Sequence, residues 1–272
     1  METFLIILAV LAVLALLYAL SVMGRSGHPG LSALQGWNYA HRGLHKEGIP
    51  ENSMTAFRGA LEKGYGIELD VHLLTDGNLA VIHDSALKRT TGAEGDIEDL
   101  DISRLGAYRL EGTQETIPTF RQVLELFDGR APMIIELKVA RGNHKALTDA
   151  VCKELEDYRG NYCIESFDPR CIYHLKKHYP NIIRGQLTEN FLRIKGGPMP
   201  LVLKLMMTLQ LENFLTRPDF VAYRFADRKN LGNFLVRKLW RVQGVCWTLK
   251  TPAEHQAATE EGWLPIFEDY EP

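Results

Sequence analysis

Cysteine is scarce in this chain, four in 272 residues, and Cys152, Cys163, Cys171 and Cys246 form neither a CxxC pair nor a zinc-ligand spacing. That argues against a disulfide scaffold or a structural zinc site and predicts free thiols in a reducing compartment. Net charge is also scarce: a formal value of −3 gives no ground for a nucleic-acid partner. No GxGxxG loop follows the first strand-like run, which counts against a dinucleotide-binding open sheet. No Lys or Arg precedes the apolar run at the N-terminus, and no small-x-small cleavage site or lipobox cysteine follows it, which counts against a removed signal peptide.

What is present begins with that run. Phe4 to Met23 is nearly unbroken hydrocarbon, long enough to cross a bilayer as a helix, so residues 1–24 are expected to be a retained transmembrane anchor. Residues 25–36, rich in Gly, Ser and Pro, then read as a linker. The flank before the span carries no Lys or Arg, whereas Arg25, Arg42 and Lys46 follow it, which predicts a single-pass cell-membrane protein with its main domain in the cytoplasm. Charge is unevenly spread: from Asp168 to Arg241 there are 14 Lys and Arg against 5 Asp and Glu. This half could face an anionic membrane or a substrate phosphate, or simply consist of solvated helix faces.

From residue 37 on, short strand-like runs alternate with helical stretches. Trp37 to His41 reads as a strand and Asn52 or Ser53 as the cap of a helix carrying Phe57, Ala60 and Leu61. Ile67 to Leu73 and Leu79 to His83 flank Asp76-Gly77, a strong two-residue type I′ hairpin signal. That register places Asp70 opposite His83, with Glu68 on the same face. Residues 85–118 are turn-rich and acidic and read as an insertion. Strands then recur at Met133 to Lys138, Tyr162 to Phe167, Ile182 to Leu187, Phe220 to Tyr223, Gly244 to Leu249 and Trp263 to Phe267. With one of the nine strands spent on the hairpin arm, eight remain for a closed (β/α)₈ TIM barrel over residues 37–272. Leu201 to Leu215 reads as one helix with a polar stripe at Lys204, Thr208 and Glu212, a barrel helix packed on two sides. Phe191 to Lys195 before it mixes apolar residues and cations in a way that also suits an interfacial contact.

Barrel enzymes build their sites at C-terminal strand ends, where His41-Arg42, Glu68, Asp70 and Glu136-Leu137-Lys138 fall. Three carboxylates there suit a hard divalent cation, Arg42 and Lys138 suit a phosphate, and His41 and His83 suit proton transfer near neutral pH.

The run HRG at His41, PENS at Pro50, ELDVHLLTDG at Glu68, VIHD at Val81, IPTF at Ile117, IELK at Ile135, ESFDP at Glu165 and CWTL at Cys246 resembles the glycerophosphodiester phosphodiesterase family, a TIM-barrel group related to phosphatidylinositol-specific phospholipase C. The resemblance implies His41 and His83 as general acid and base, and Glu68, Asp70 and Glu136 as ligands of Mg²⁺ or Ca²⁺, with Glu51 close by. It implies Arg42 and Lys138 as phosphate ligands, Trp247 as a wall of the site, and the stretch after Asp84 as the family's small insertion. The implied reaction converts glycerophosphodiesters to glycerol 3-phosphate and an alcohol. A lysophospholipase D or a sphingomyelinase D-like lyase acting on membrane-derived lipid is the alternative. Where relatives end on a glycine-rich strand and a Thr-Asp pair, this chain reads Pro265-Ile266-Phe267-Glu268-Asp269, and Phe191 to Arg217 resembles nothing assignable in the family pattern.

Overall fold

The computed structural model describes residues 1–196 and 199–272; of the Phe191 to Arg217 stretch, positions 197 and 198 lie outside the described residues. The chain starts with helix α1 (Glu2–Ser21), then β1 (Tyr39–His41), α2 (Met54–Glu62), β2 (Gly66–Leu73), β3 (Leu79–Val81), α3 (Lys88–Thr91), α4 (Phe120–Phe127) and β4 (Met133–Leu137). It continues through α5 (His144–Leu155), β5 (Tyr162–Ser166), α6 (Pro169–His178), β6 (Arg184–Thr188), α7 (Leu201–Thr208), α8 (Asn213–Thr216) and β7 (Phe220–Arg224). The last elements are α9 (Leu231–Phe234), extended by a wider turn over Leu235–Leu239, then β8 (Gln243–Leu249), α10 (Pro252–Glu260) and β9 (Trp263–Phe267). Eight strands are parallel and close through β1 pairing with both β2 and β9, while β3 adds antiparallel to β2. This is the expected (β/α)₈ TIM barrel.

Alternation along each strand decides which side chains enter the barrel. Ile67, Leu69 and Val71 of β2 and Met133, Ile135 and Leu137 of β4 face outward, into the core shared with α2, α4 and α5. Tyr39, Ile134, Cys163, Phe220, Val245 and Ile266 face inward and fill the lower barrel. The next inward positions, one pleat nearer the C-terminal strand ends, are therefore His41, Glu136, Glu165 and Trp247, a polar layer on an apolar floor. The floor is close-packed: a Cβ added at Gly185 would lie 2.1 Å from the buried Phe220 ring. Gly185→Ala is therefore expected to cost about 1–3 kcal/mol by overpacking. Denaturant unfolding measures this, and an unchanged midpoint would mean that the floor yields freely.

Three expectations need correction. Residues 25–36 are not a free linker. Pro29–Leu34 form a 3₁₀ turn whose Leu31 and Leu34 are buried beneath the barrel floor, where the Tyr39 hydroxyl donates to Leu34 O at 2.7 Å. Arg25 is clamped onto the buried Asp219, Nη2 to Oδ2 at 2.7 Å.

The second correction concerns the hairpin. Its register is Val71 with Val81 and His72 with Ala80, so that Ile82, not His83, pairs with Asp70. Gly77 adopts positive φ but Asp76 does not, giving a three-residue loop, Thr75 to Gly77, closed by Leu74 N to Asn78 O at 2.9 Å. The insertion explains the slip. Thr75 donates N–H and hydroxyl to Leu100 O, and the Asp76 carboxylate accepts from Ile102 N.

Third, Leu201 to Leu215 is not one helix with an outward polar stripe. It breaks after Thr208 near Gln210, whose φ is +59°, and Thr208 and Glu212 are buried while Leu201, Leu203, Leu205, Leu209 and Leu215 are exposed.

Candidate active site

β1, β2, β4 and β5 lie side by side, and their registers align Asp70 with Glu136 and Glu136 with Glu165, while Glu68 pairs with His41. Glu68, Asp70 and Glu136 each offer one carboxylate oxygen within 4.8 Å of the others, and all three are buried. Two cations are built into the cluster. Lys138 Nζ lies 3.0 Å from Asp70 Oδ1 and 2.8 Å from Glu136 Oε1. Arg42 adopts positive φ at the strand end, donates its backbone N–H to Glu68 Oε2 at 3.2 Å, and sends its guanidinium to Glu51 (3.0 Å) and Asp70 (3.4 Å). Glu51 is held from the far side by both terminal nitrogens of Arg89. Asn52 Nδ2 donates to Asp70 Oδ2 at 2.8 Å, so the Pro50–Ser53 turn that starts α2 also positions the site.

The electrostatics are divided. Burial works against the Asp70 charge, but Lys138, His83, Arg42 and the Asn52 hydrogen bond outweigh it and hold Asp70 well below the usual carboxylate range. Burial and the neighbouring carboxylates push Glu68 well up, and burial raises Glu136 to about 7 despite Lys138. Glu165, buried on β5 beside Glu136, is also pushed well up, first by burial and then by Glu136. If all four carboxylates were ionised together they would outnumber Lys138 and Arg42, and Glu165 Oε2 is buried without a hydrogen-bond partner. A hard-oxygen donor set short of positive charge fits a divalent cation.

The histidines stand on either side. His41 Nδ1 faces Glu268 at 3.3 Å while Nε2 points to Glu68 at 3.9 Å. His83 lies in the bend after β3, with Nδ1 at 2.6 Å from Asp84. Burial lowers the pKa of both. The residues lining a small cleft include His41, Arg42, Glu68, His83, Lys138 and Trp247. Beyond His83 a second cleft of about 350 Å³ shares His83, Glu136, Lys138 and Phe167 with it. Trp247 packs edge-on against Phe167 at 5.7 Å, and Phe167 against Phe191 at 6.2 Å.

These features agree with a family pattern: the profile described as "Glycerophosphoryl diester phosphodiesterase family" matches residues 41–270. The chain belongs to this family. Among curated proteins it is 36% identical over 160 residues to the glycerophosphodiester phosphodiesterase of Caldanaerobacter subterraneus subsp. tengcongensis, an alignment covering 55% of this chain and 65% of that protein. It is 34% identical over 273 residues to human lysophospholipase D GDPD1, covering 85% of this chain and 82% of that one. Alignments to the bacterial relatives thus span slightly less than two thirds of their length. Among solved structures, an Oleispira antarctica phosphodiesterase in complex with its product sn-glycerol-3-phosphate superposes with a TM-score of 0.73 over 90% of this chain and 96% of that one; at 22% identity it speaks for the fold alone. A Thermotoga maritima glycerophosphodiester phosphodiesterase superposes at 0.64 with 25% identity, covering 85% of this chain and 93% of that one.

Two members of this cluster were not predicted as site residues. Glu165 stands in the quoted ESFDP run, and the alternation of β5 turns it inward; the signal was present but reads as one more strand-end carboxylate. Glu268 falls where the chain departs from the family ending, and its two oxygens face His41 and His45, at 3.3 and 3.4 Å. Those two imidazoles hold the Glu268 carboxyl well below its usual range. A depressed folded pKa means that this stabilisation is present above the unfolded value and is lost as pH falls toward the folded one. The same carboxylate raises the His41 pKa against the larger effect of burial. Glu268→Gln is therefore expected to move the limb of the kcat/KM profile that reports His41 to lower pH. An unshifted limb would mean that Glu268 does not act through His41.

Proposed function

We propose that this protein hydrolyses glycerophosphodiesters to glycerol 3-phosphate and an alcohol. The observation that carries this reading is the pair of imidazoles, His41 and His83, flanking a buried carboxylate and cation cluster at the barrel mouth. Glu68, Asp70 and Glu136 would hold a divalent cation, which supplies positive charge against the phosphate oxygens and a neighbouring hydroxyl. Arg42 and Lys138 bind the phosphate, Arg42 through a planar fork and Lys138 as a point charge. One imidazole takes the proton of the attacking glycerol hydroxyl as its oxygen bonds to phosphorus. The other gives a proton to the departing alkoxide as the second P–O bond breaks. Water then opens the cyclic phosphate with the roles reversed. Each histidine keeps one nitrogen against a carboxylate, Glu268 or Asp84, which fixes its ring and leaves the other nitrogen for the transfer. Trp247 forms the apolar wall.

A second reading, an amphiphilic substrate such as a lysophospholipid, is favoured by the aromatic run from Trp247 through Phe167 to Phe191 and by the similarity to human lysophospholipase D GDPD1. A panel of glycerophosphodiesters and lysolipids assayed with Mg²⁺, Ca²⁺ and EDTA tests both. Solvent oxygen appears in the phosphate only if the reaction is a hydrolysis and does not stop at the cyclic phosphate. No turnover of any member would refute the assignment.

We further read α1, 20 residues containing an 18-residue stretch with a mean hydropathy of 2.9, none of it buried, as a bilayer anchor with the barrel in the cytoplasm. All four cysteines are free and buried, which is compatible with that side. Reporters fused after Pro272, a secreted-type phosphatase and a fluorescent protein, test it. An active phosphatase with a dark fluorescent fusion would reverse the orientation.

A further inference from the structure

The region between β6 and β8 is built inside out. In α7–α8 the polar residues Thr208, Gln210, Asn213 and Thr216 are buried, while Leu201 and Val202 are 66% and 69% exposed and Leu205, Met206, Phe214 and Leu215 are also exposed. A helix on a water-facing surface has the opposite pattern. The neighbouring α9 repeats it, with Leu231 and Phe234 about as open as Leu201 and with Gly232 and Asn233 buried. Leu192 and Ile194, in the connection that leaves the C-terminal end of β6, are exposed as well. A groove of about 520 Å³ between α6 and α7–α8, walled by Leu203, Met206, Phe214 and Tyr173, continues the same face.

Hydrogen bonds tie this region to the C-terminal end of α1. The Tyr18 hydroxyl donates to Leu209 O, Asn213 Nδ2 to Val22 O, Trp240 Nε1 to Ala19 O, and Arg217 to Leu20 O and Met23 O. Gln210 and Asn233 bond to each other and join α9 to the break between α7 and α8. The last turn of α1 is thereby fixed between two exposed apolar helices. The attachment also has a direction. Arg25 sits on Asp219 at the N-terminal end of β7, the base of the barrel, whereas Tyr18 reaches Leu209 and lies beside Gly232, near the start of the helix that follows β7. Traced backward from Arg25, the chain stays at the base through Ala19, which Trp240 holds, and reaches with the Tyr18 side chain toward the start of that helix. The most exposed apolar residues, Leu201, Val202, Leu231 and Phe234, likewise follow the C-terminal ends of β6 and β7, which is the mouth side. Exposed Lys195, Lys229 and Lys238 are interspersed with them, cations that suit anionic headgroups.

We propose that the α7–α8 and α9 face, with Leu192 and Ile194, seats in the same bilayer that α1 crosses, so that the active-site mouth opens at the lipid surface beside this rim. The proposal rests on α1 being a membrane span. Apolar helix faces that flank the exit of such a span are continuous with it, and burying them in the interface removes from water the side chains that the fold leaves outside. The path from Trp247 through Phe167 to Phe191 then runs from the phosphate site to the seated rim.

Site-specific quenching on the full chain tests this. An environment-sensitive fluorophore is attached at Val202→Cys, Phe234→Cys, Leu11→Cys or Glu125→Cys, the last on α4 away from this face; the native cysteines are buried and remain unlabelled in the folded chain. Cooperative thermal unfolding certifies each labelled protein, which is reconstituted in phosphatidylcholine and phosphatidylserine vesicles. The expected result is severalfold stronger quenching at Val202 and Phe234 than at Glu125 by nitroxide on the lipid acyl chains, and severalfold weaker quenching by aqueous iodide. If Leu11 is quenched from the lipid while Val202 and Phe234 respond to iodide as Glu125 does, the span stands and the seating is refuted. If both probes are shielded from lipid and iodide alike, a protein contact covers the face and the lipid occupant is refuted. If Leu11 itself is open to iodide, the underlying anchor reading fails, and the seating with it.

Discussion

Replacing His41 or His83 with Ala is expected to lower turnover by about two to four orders of magnitude each, the usual contribution of one positioned acid or base. The expectation follows from how the rings are held. His41 Nδ1 faces Glu268 at 3.3 Å, His83 Nδ1 is hydrogen-bonded to Asp84 at 2.6 Å, and both rings line the cleft between them. Burial lowers both pKa values, which favours the neutral ring and leaves whichever histidine is protonated a ready donor. Because one ring's proton loss is the other's gain within a single cycle, the double variant should lose far less than the product of the single losses. The comparison is best made with His→Gln beside His→Ala, since Gln refills most of the volume of the buried ring and separates lost chemistry from a collapsed site. Strictly multiplicative losses, or full activity in either Gln variant, would remove the pair from the proton-transfer role.

Much of this architecture can be read directly from the residues, because in a parallel barrel one pattern sets several things at once. The alternation in ELDV and IELK that buries Leu69 and Ile135 against helices also turns Asp70 and Glu136 inward, and their place near strand ends puts them at the mouth. Two kinds of feature escape that logic. The hairpin register depends on partners distant in sequence: Leu100 and Ile102 of the insertion take Thr75 and Asp76, lengthening the loop by one residue, and no local turn propensity encodes them. His83 still reaches the site because β3 ends at Val81 and a bend follows. The α7–α8 region misleads as well. Its helical periodicity is legible, but partners of the buried stripe are distant in sequence: Asn213 bonds to Val22 O at the end of α1 and Gln210 to Asn233 of α9. Residues 25–36 look like a linker because Gly, Ser and Pro dominate, yet Leu31 and Leu34 are apolar enough to plug the barrel floor. Glu268 acquires meaning only once β9 sits beside β1 and brings it within reach of His41.

The carboxylate cluster carries the other large effect. Asp70→Asn and Glu136→Gln, which keep shape and remove charge, are each expected to abolish cation-stimulated hydrolysis. Asp70 is the more consequential, because it is the carboxylate held most firmly ionised, by Lys138 at 3.0 Å and Asn52 at 2.8 Å. Its loss leaves Arg42 and Lys138 with less opposing charge and weakens both their placement and the acidic donor set. Glu136 differs: its pKa near 7 reflects burial and crowding by Asp70, so a bound cation should draw its proton off and make binding strengthen with pH through that range. The readout need not be activity. A ligand that binds only the folded state raises stability by about 2.7 kcal/mol at a hundred times its dissociation constant, so Mg²⁺ or Ca²⁺ should raise the unfolding temperature of the native chain. The same addition should move neither variant, and EDTA should return the native chain to its unliganded value. Full activity after exhaustive chelation, or an equal thermal shift in Asp70→Asn, would show that these three carboxylates do not hold the ion.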